Sequence, residues 1–165
     1  MSEPLLTIRA LSRADVDAVI ELFRASVRIV ARRDYSLDQV MAWAPDEIDA
    51  VSWAARYDTR LGWVAELDSQ IVGFGELEGH EHLDMMYVHP AHQRRGVATA
   101  LLRQIEAAAR ALGARNLLTE ASVTARPFFE RLGFLLIAPQ TVMFRNQRFL
   151  NFRMAKSLPA ASAGG

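Results

Sequence analysis

At Arg60 the hydrophobic period of this chain changes, and that change limits the folds open to it. Upstream, Val16, Val19, Ile20, Phe23 and Val27 recur at helical spacing, the pattern of a helix with one apolar stripe. Downstream, residues 61–67 and 71–77 read as two strands joined by Asp68-Ser69-Gln70, a turn-like link. Residues 82–88 read as a third strand, ended by His89-Pro90. Strands with such short links form an antiparallel meander. Helices ahead of a meander, with more strands to follow, imply a mixed-sheet α/β domain.

The rest of the chain fills in that outline. Residues 5–10 alternate well enough for a first strand, and Ser12-x-x-Asp15 reads as a capping box before the first helix, each side chain satisfying an orphan N–H. Short helices are expected over 37–43, stopping before Pro45, and over 48–57. After the meander comes a loop, 91–96, and then the strongest helix, with Val97, Leu101, Leu102, Ile105, Ala108 and Leu112 on its apolar face. Gly113 suits the position just past its end. A strand over 117–121, a helix over 125–132 closed by Gly133, and two strands over 135–144 and 149–156 complete the order. Residues 1–4 read as a frayed end and 158–165 as a tail. The expectation is one domain over 1–165 with an ordered core of about 5–157. A chain of 165 residues buries about two-thirds of its unfolded surface.

Composition excludes several function classes. Lys plus Arg and Asp plus Glu both number 19, a formal net charge of zero, so no basic excess speaks for a nucleic-acid partner. No apolar run has membrane-spanning length, and residues 1–9 lack the form of a signal segment. Cysteine is absent, which removes disulfides, thiolate ligands and a cysteine nucleophile within this sequence. A cytoplasmic protein without a membrane partner is the plain reading. His80, His82, His89 and His92 are the four histidines, but without cysteine and with His89 and His92 in the 87–102 stretch no metal site is expected.

The chemistry concentrates in Y-V-H-P-A-H-Q-R-R-G-V-A-T-A-L-L, residues 87–102. A helix N-terminus carries unpaired N–H groups and partial positive charge, so it suits an anion. Gly96 lets the backbone approach a phosphate, Ala98 keeps the first turn small, and Arg94 and Arg95 add positive charge. The loop suits a pyrophosphate, but it lacks the G-K-[ST] ending of a triphosphatase loop. Taken alone, Gly96 could equally be a turn residue before a capped helix.

Q-R-R-G-V-A, residues 93–98, resembles the Q/R-x-x-G-x-G/A signature of the GCN5-related N-acetyltransferases, the GNAT superfamily. S-V-T-A-R-P-F-F-E-R-L-G-F, residues 122–134, is similar to the family's second signature, where F-Y-E-K-x-G-F is common. S-V-R at 26–28 and Y-S-x-x-Q-x-x-A-W-A-P at 35–45 look like a group of bacterial acetyltransferases within it. The resemblance implies a mostly antiparallel mixed sheet of about six to seven strands, splayed in the middle and flanked by helices. It implies acetyl-CoA as cosubstrate and an amine as acceptor. Gln93, Arg94, Arg95, Gly96, Val97, Ala98 and Thr99 would hold the CoA pyrophosphate, chiefly through backbone N–H groups. Met86, Tyr87 and Val88 would pair with the pantetheine arm like a neighbouring strand, and the backbone N–H of Val88 would face the reacting oxygen. Ser122 stands where many relatives have an Asn that bonds the same arm, although it reads equally as a helix cap. Many relatives are dimers, so a homodimer is left open.

Transfer needs a neutral amine, so a base must take a proton from the ammonium. By period two, His82 and Asp84 share a strand face with Met86 and Val88, which makes them the first base candidates. Glu76 on the preceding strand and Glu120 near the splay are reserves. Phe129 occupies the position where many relatives carry a Tyr that protonates the departing thiolate. Tyr35, Tyr57 and Tyr87 are other hydroxyl sources, and a thiolate can also leave unaided near neutral pH. Trp43, Trp53 and Trp63 read mainly as core. Arg28, Arg32 and Arg33 form either a solvated face or an attraction for an acidic acceptor. Two functions follow: an acetyl-CoA-dependent N-acetyltransferase acting by direct attack, or a catalytically weak acyl-CoA-binding sensor, which the missing hydroxyl at Phe129 keeps in play. A preference for a longer acyl chain, set by the space near Met85, Met86 and Phe129, is a third.

Overall fold

The computed structural model describes residues 5–160, so the expected frayed end, 1–4, and residues 161–165 of the expected tail lie outside the described residues. β1 (Leu6–Ala10) leads to Asp15, whose Oδ2 accepts the Ser12 N–H at 2.8 Å, the reach-back half of the capping box. α1 (Val16–Ala25) buries its apolar stripe and runs on through a π-helical turn, Ser26–Val30. α2 (Leu37–Trp43) starts on a complete capping box between Ser36 and Gln39. α3 (Ala50–Ala55) starts at Asp49, which accepts the Val51 N–H at 3.0 Å, and continues as a 3₁₀ turn over Arg56–Asp58.

The remaining elements are β2 (Leu61–Leu67), β3 (Gln70–Glu78), β4 (His82–Val88), α4 (Val97–Ala111), β5 (Asn116–Ser122), α5 (Arg126–Arg131), β6 (Leu135–Phe144) and β7 (Gln147–Ser157). They form one seven-stranded sheet in the order β1-β2-β3-β4-β5-β7-β6. Every neighbouring pair is antiparallel except β4 and β5. This is the mixed α/β architecture expected from the sequence. Both expected hairpin turns, at Asp68-Ser69 and Arg145-Asn146, hold two successive residues at positive φ, as a turn matching strand twist requires. Leu158, expected to begin the tail, is buried, and its N–H bonds the Arg115 carbonyl at 2.8 Å.

Two layers of core cover the sheet. Leu83, Val88, Leu101, Ile105 and Met154 belong to the cluster on the α4 side. Val19, Phe23, Val40, Trp53 and Phe74 belong to the cluster beneath α1–α3. α4 lies unusually close on β3: a Cβ at Gly75 would stand 2.8 Å from Ile105 Cδ1. No helix among the described residues is long and apolar enough to cross a membrane.

Two irregularities position the site. β4 and β5 pair only at His82↔Leu118 and Leu83↔Thr119 and then part. β4 also carries a bulge: Glu76 opposes Met85 and Leu77 opposes Leu83, which leaves Asp84 as the extra residue. The period-two count is therefore corrected. Met86 and Val88 pack with Leu83 on the α4 side, whereas Met85 and Tyr87 face α1–α3. Asp84 joins Met85 and Tyr87, not Met86 and Val88.

Candidate active site

The loop after β4 has the geometry of an anion cradle. Arg94 and Gly96 both hold positive φ, 61° and 79°, a reversal that turns successive N–H groups toward one side. Gly96 adopts that conformation at no steric cost, and among the described residues no atom beyond its chain neighbours lies within 4 Å of where its Cβ would stand. The first intrahelical bond of α4 runs from the Ala100 N–H to the Gly96 carbonyl at 3.0 Å. The amides of Val97, Ala98 and Thr99 are thus left without helical partners. Arg94 and Arg95 are exposed beside them. Gln93 has a bracing position, its Nε2 donating to the Val88 carbonyl at 2.8 Å. These features fit a CoA pyrophosphate, and the parted ends of β4 and β5 leave backbone groups for a pantetheine arm.

On the opposite face of the sheet lies a cleft of about 890 Å³. Its floor takes Asp84, Met85 and Tyr87 from β4 and Glu120 and Ser122 from β5, so both strands of the parting contribute. Phe23, Trp43 and Trp53 line it from the helices, and Phe144, Phe149 and Asn151 from the β6–β7 hairpin. Tyr35 fastens the hairpin side: its hydroxyl donates to the Leu150 carbonyl at 2.6 Å and accepts the Val123 N–H at 2.9 Å. The Arg145 guanidinium donates to the Ala42 carbonyl at 2.8 Å.

A network of charges underlies the floor. Glu76 is wholly buried. It accepts from Arg56 at 2.8 Å and from the Tyr57 hydroxyl at 2.8 Å, and Tyr57 accepts the Trp53 indole N–H at 2.9 Å. Burial pushes the Glu76 carboxyl up, against the pull of Arg56. Burial also pushes the Tyr57 and Tyr87 hydroxyls up. Asp84 Oδ2 accepts from Arg56 at 2.9 Å and also from Arg60. Both bonds go to that one oxygen.

His82 lies between two carboxylates, Nε2 2.7 Å from Glu120 and Nδ1 3.3 Å from Glu78. The Glu120 hydrogen bond, against a smaller cost of burial, raises it to about 9 and lowers Glu120 in turn. His82 is therefore a cation near neutral pH, its ring nitrogens engaged.

Of the residues singled out from sequence, Asp84, Glu120, Ser122 and Tyr87 meet at the cleft, while Glu76 lies beneath it. Ser122 Oγ accepts the Ala125 N–H at 3.0 Å, as a helix cap does. Phe129 is buried among Phe128 and Phe134, ring centroids 5.3 and 5.0 Å away, in the α4-side core. Trp43 and Trp53 pack in the core and line the cleft, whereas Trp63 belongs to the α4-side cluster. Arg28 bonds the Ala44 carbonyl and Asp46, and Arg32 bonds the Tyr35 carbonyl. Arg56 and Arg60 were not anticipated. Their only sequence signal is R-Y-D-T-R at 56–60, and nothing local links it to Glu76 and Asp84.

Residues 31–157 match a family described as an acetyltransferase (GNAT) domain. YafP, an uncharacterized N-acetyltransferase of Escherichia coli (strain K12), is 36% identical over 149 residues, covering 90% of this chain and 94% of its own. A GCN5-related N-acetyltransferase from Rhodopseudomonas palustris, described also as a class-II aminotransferase, has a TM-score of 0.89 at 37% identity, covering 96% of this chain and 98% of its own. PaiA N-acetyltransferase from Thermoplasma acidophilum, solved with coenzyme A, has a TM-score of 0.76 at 21% identity, with 95% and 99% covered. YncA from Salmonella typhimurium, solved with acetyl-CoA, has a TM-score of 0.73 at 20% identity, with 98% of each chain covered.

Proposed function

We propose that this chain, which belongs to the GNAT acetyltransferase family, transfers an acetyl group from acetyl-CoA to an amine held in the cleft above β4 and β5. The observation that carries this reading is the parting of those two strands. It opens beside the cradle at Gly96, and the acid-floored cleft is lined from both of its edges.

The geometry supports the following assignments. The amides of Val97, Ala98 and Thr99, with Arg94 and Arg95, hold the pyrophosphate, and the backbone of Met86, Tyr87 and Val88 lies along the pantetheine arm. Asp84 is the group we assign to receive the ammonium proton, directly or through a water, because its Oδ1 takes neither guanidinium bond. Arg56 and Arg60 fix its orientation. Glu76 supports it from below through the shared Arg56. His82, already a cation, steadies Glu120 and does not take the proton at neutral pH. The amine nitrogen bonds to the acetyl carbon as the carbon–sulfur bond breaks, without an acetylated residue between. Phe129 offers no proton, so the thiolate leaves unaided or takes the second amine proton.

Calorimetry with acetyl-CoA tests the donor half: the protein binds, and Gly96→Glu, which sets a carboxylate and a strained φ in the cradle, does not. Asp84→Asn, binding acetyl-CoA normally, is expected to lower acceptor-dependent thiol release about 100-fold. An acetylated protein trapped in turnover would replace direct attack. Absence of acetyl-CoA binding by folded protein would remove the reading itself.

A further inference from the structure

The walls of the cleft carry information about the acceptor, and the argument for it rests on the transfer reading above. Aromatic rings run along the cleft as a connected series. Between ring centroids, Trp53 lies 5.2 Å from Phe23, Phe23 5.1 Å from Tyr87, and Tyr87 6.4 Å from Trp43. Trp43 is in turn 6.0 Å from Phe149, which is 6.5 Å from Phe144. Most of these pairs meet edge to face, the arrangement aromatic quadrupoles favour. Here they form the wall of an open cleft, and Phe144 is 45% exposed. Phe23, Trp53 and Phe149 are buried behind this wall, whereas Trp43, Tyr87 and Phe144 keep ring surface that a ligand can meet.

The charges narrow the choice. Arg56 and Arg145 are the two cationic side chains lining the cleft among the described residues, and both are engaged. Arg56 bonds Glu76 and Asp84 and lies 5.2 Å over Trp53. Arg145 bonds the Ala42 carbonyl and lies 4.7 Å over Phe144. Of the four carboxylates that line the same space, Asp84 is paired with Arg56 and Arg60 and Glu120 with His82, which leaves Glu47 and Asp49 without a cationic partner among the described residues. Glu47 and Asp49 are exposed at its edge, where they attract a cation and repel a carboxylate. One feature points the other way: Arg56 Nε is unpaired. It is also buried, which withholds it from a solvent-borne anion.

We propose that the acceptor is a primary amine on a flat aromatic body that carries no carboxylate. Its ammonium is drawn in by Glu47 and Asp49 and released to Asp84, and its ring lies along the Trp43–Tyr87 wall. The nitrogen–carbon bond forms at the acetyl carbon and the carbon–sulfur bond breaks. Of the two protons the ammonium gives up, one leaves through Asp84 to solvent and the other ends on the CoA sulfur.

The test is steady-state thiol release with acetyl-CoA and a matched set of amines: 2-phenylethylamine, tryptamine, L-phenylalanine, hexylamine and spermidine. The two carboxylate-free aromatic amines are expected to exceed each of the others in kcat/KM by about tenfold or more, the factor one ring-stacking contact supplies. Phe144→Ala, which removes an exposed ring, should raise KM for 2-phenylethylamine several-fold and leave the Kd of acetyl-CoA unchanged. L-phenylalanine equal to 2-phenylethylamine would mean that Arg56 reads a carboxylate, and the proposal falls. Hexylamine or spermidine equal to the aromatic amines would mean that the ring wall recognises nothing, with the same result. Acetyl-CoA binding with no turnover of the aromatic amines also overturns the acceptor class and leaves the donor reading standing. Failure to bind acetyl-CoA removes both.

Discussion

His82 joins β4 to β5 through its bond to Glu120, and this single contact gives the protein a pH dependence that can be assigned in advance. The folded value, about 9, lies above the ordinary 6.5. A group raised in the folded state contributes stability that is complete below the unfolded value and is lost as pH rises through the folded one. The window therefore runs from about 6.5 to about 9. With the side chain partly open to solvent, screening leaves a contribution of about 1 kcal/mol. Urea unfolding of the wild type and of His82→Gln should differ by that amount at pH 6 and converge by pH 10. A directly titrated His82 near 6.5 would show that the Glu120 bond is not formed in solution. The residue types at this site were legible in the sequence, since His82, Asp84, Glu76 and Glu120 were all singled out there. Their division of labour was not. What makes His82 a cation is Glu120, 38 positions away, and what orients Asp84 is Arg56 and Arg60. Such pairings arise only once strands and helices have met.

Elements were more readable than roles, because helix and strand periods are local. The capping boxes at Ser12 and Ser36, the two positive-φ hairpin turns and the long α4 all come from short-range chemistry. The face assignment of β4 failed for a reason of the same kind turned around. A bulge is defined by two strands together, so the extra residue at Asp84 leaves no mark in the period of β4 alone. Phe129 packs against Phe134 in the core on the α4 side, a contact that its place in the motif does not reveal. The contact of α4 with β3 yields a prediction at this scale. Because a Cβ at Gly75 would stand 2.8 Å from Ile105 Cδ1, Gly75→Val must push the helix outward or force Ile105 off its rotamer. Overpacking of this sort costs about 1–3 kcal/mol, measurable by urea unfolding. Since α4 begins at the Gly96 cradle, acetyl-CoA affinity should fall as well. An unchanged stability would mean that α4 stands further from β3 than the contact distance indicates.

At the scale of the whole molecule, the sheet consists of two blocks held by little ladder. β1–β4 and β5–β7 are each continuous, yet only two residue pairs join β4 to β5. Side-chain bonds also cross the gap, among them Thr119 Oγ1 to the Leu83 carbonyl at 3.0 Å, the His82–Glu120 pair, and Tyr35, which reaches from the helical layer to Val123 and Leu150. Unpaired strand ends are the places where backbone opens first. A ligand strand laid into the parting would satisfy those ends and tie the blocks together. Binding to the folded state alone adds about 2.7 kcal/mol at a ligand concentration one hundred times Kd. The protection should not be spread evenly. Amide exchange should slow most at Met86–Val88 and Glu120–Ser122, then at Val97–Thr99, and least in the β6–β7 hairpin, whose ladder does not border the parting. Gly96→Glu, unable to hold the pyrophosphate, should show none of this pattern with acetyl-CoA present. Uniform slowing across all seven strands would show that the ligand raises global stability without entering between β4 and β5, and the parting would lose its role as the donor slot.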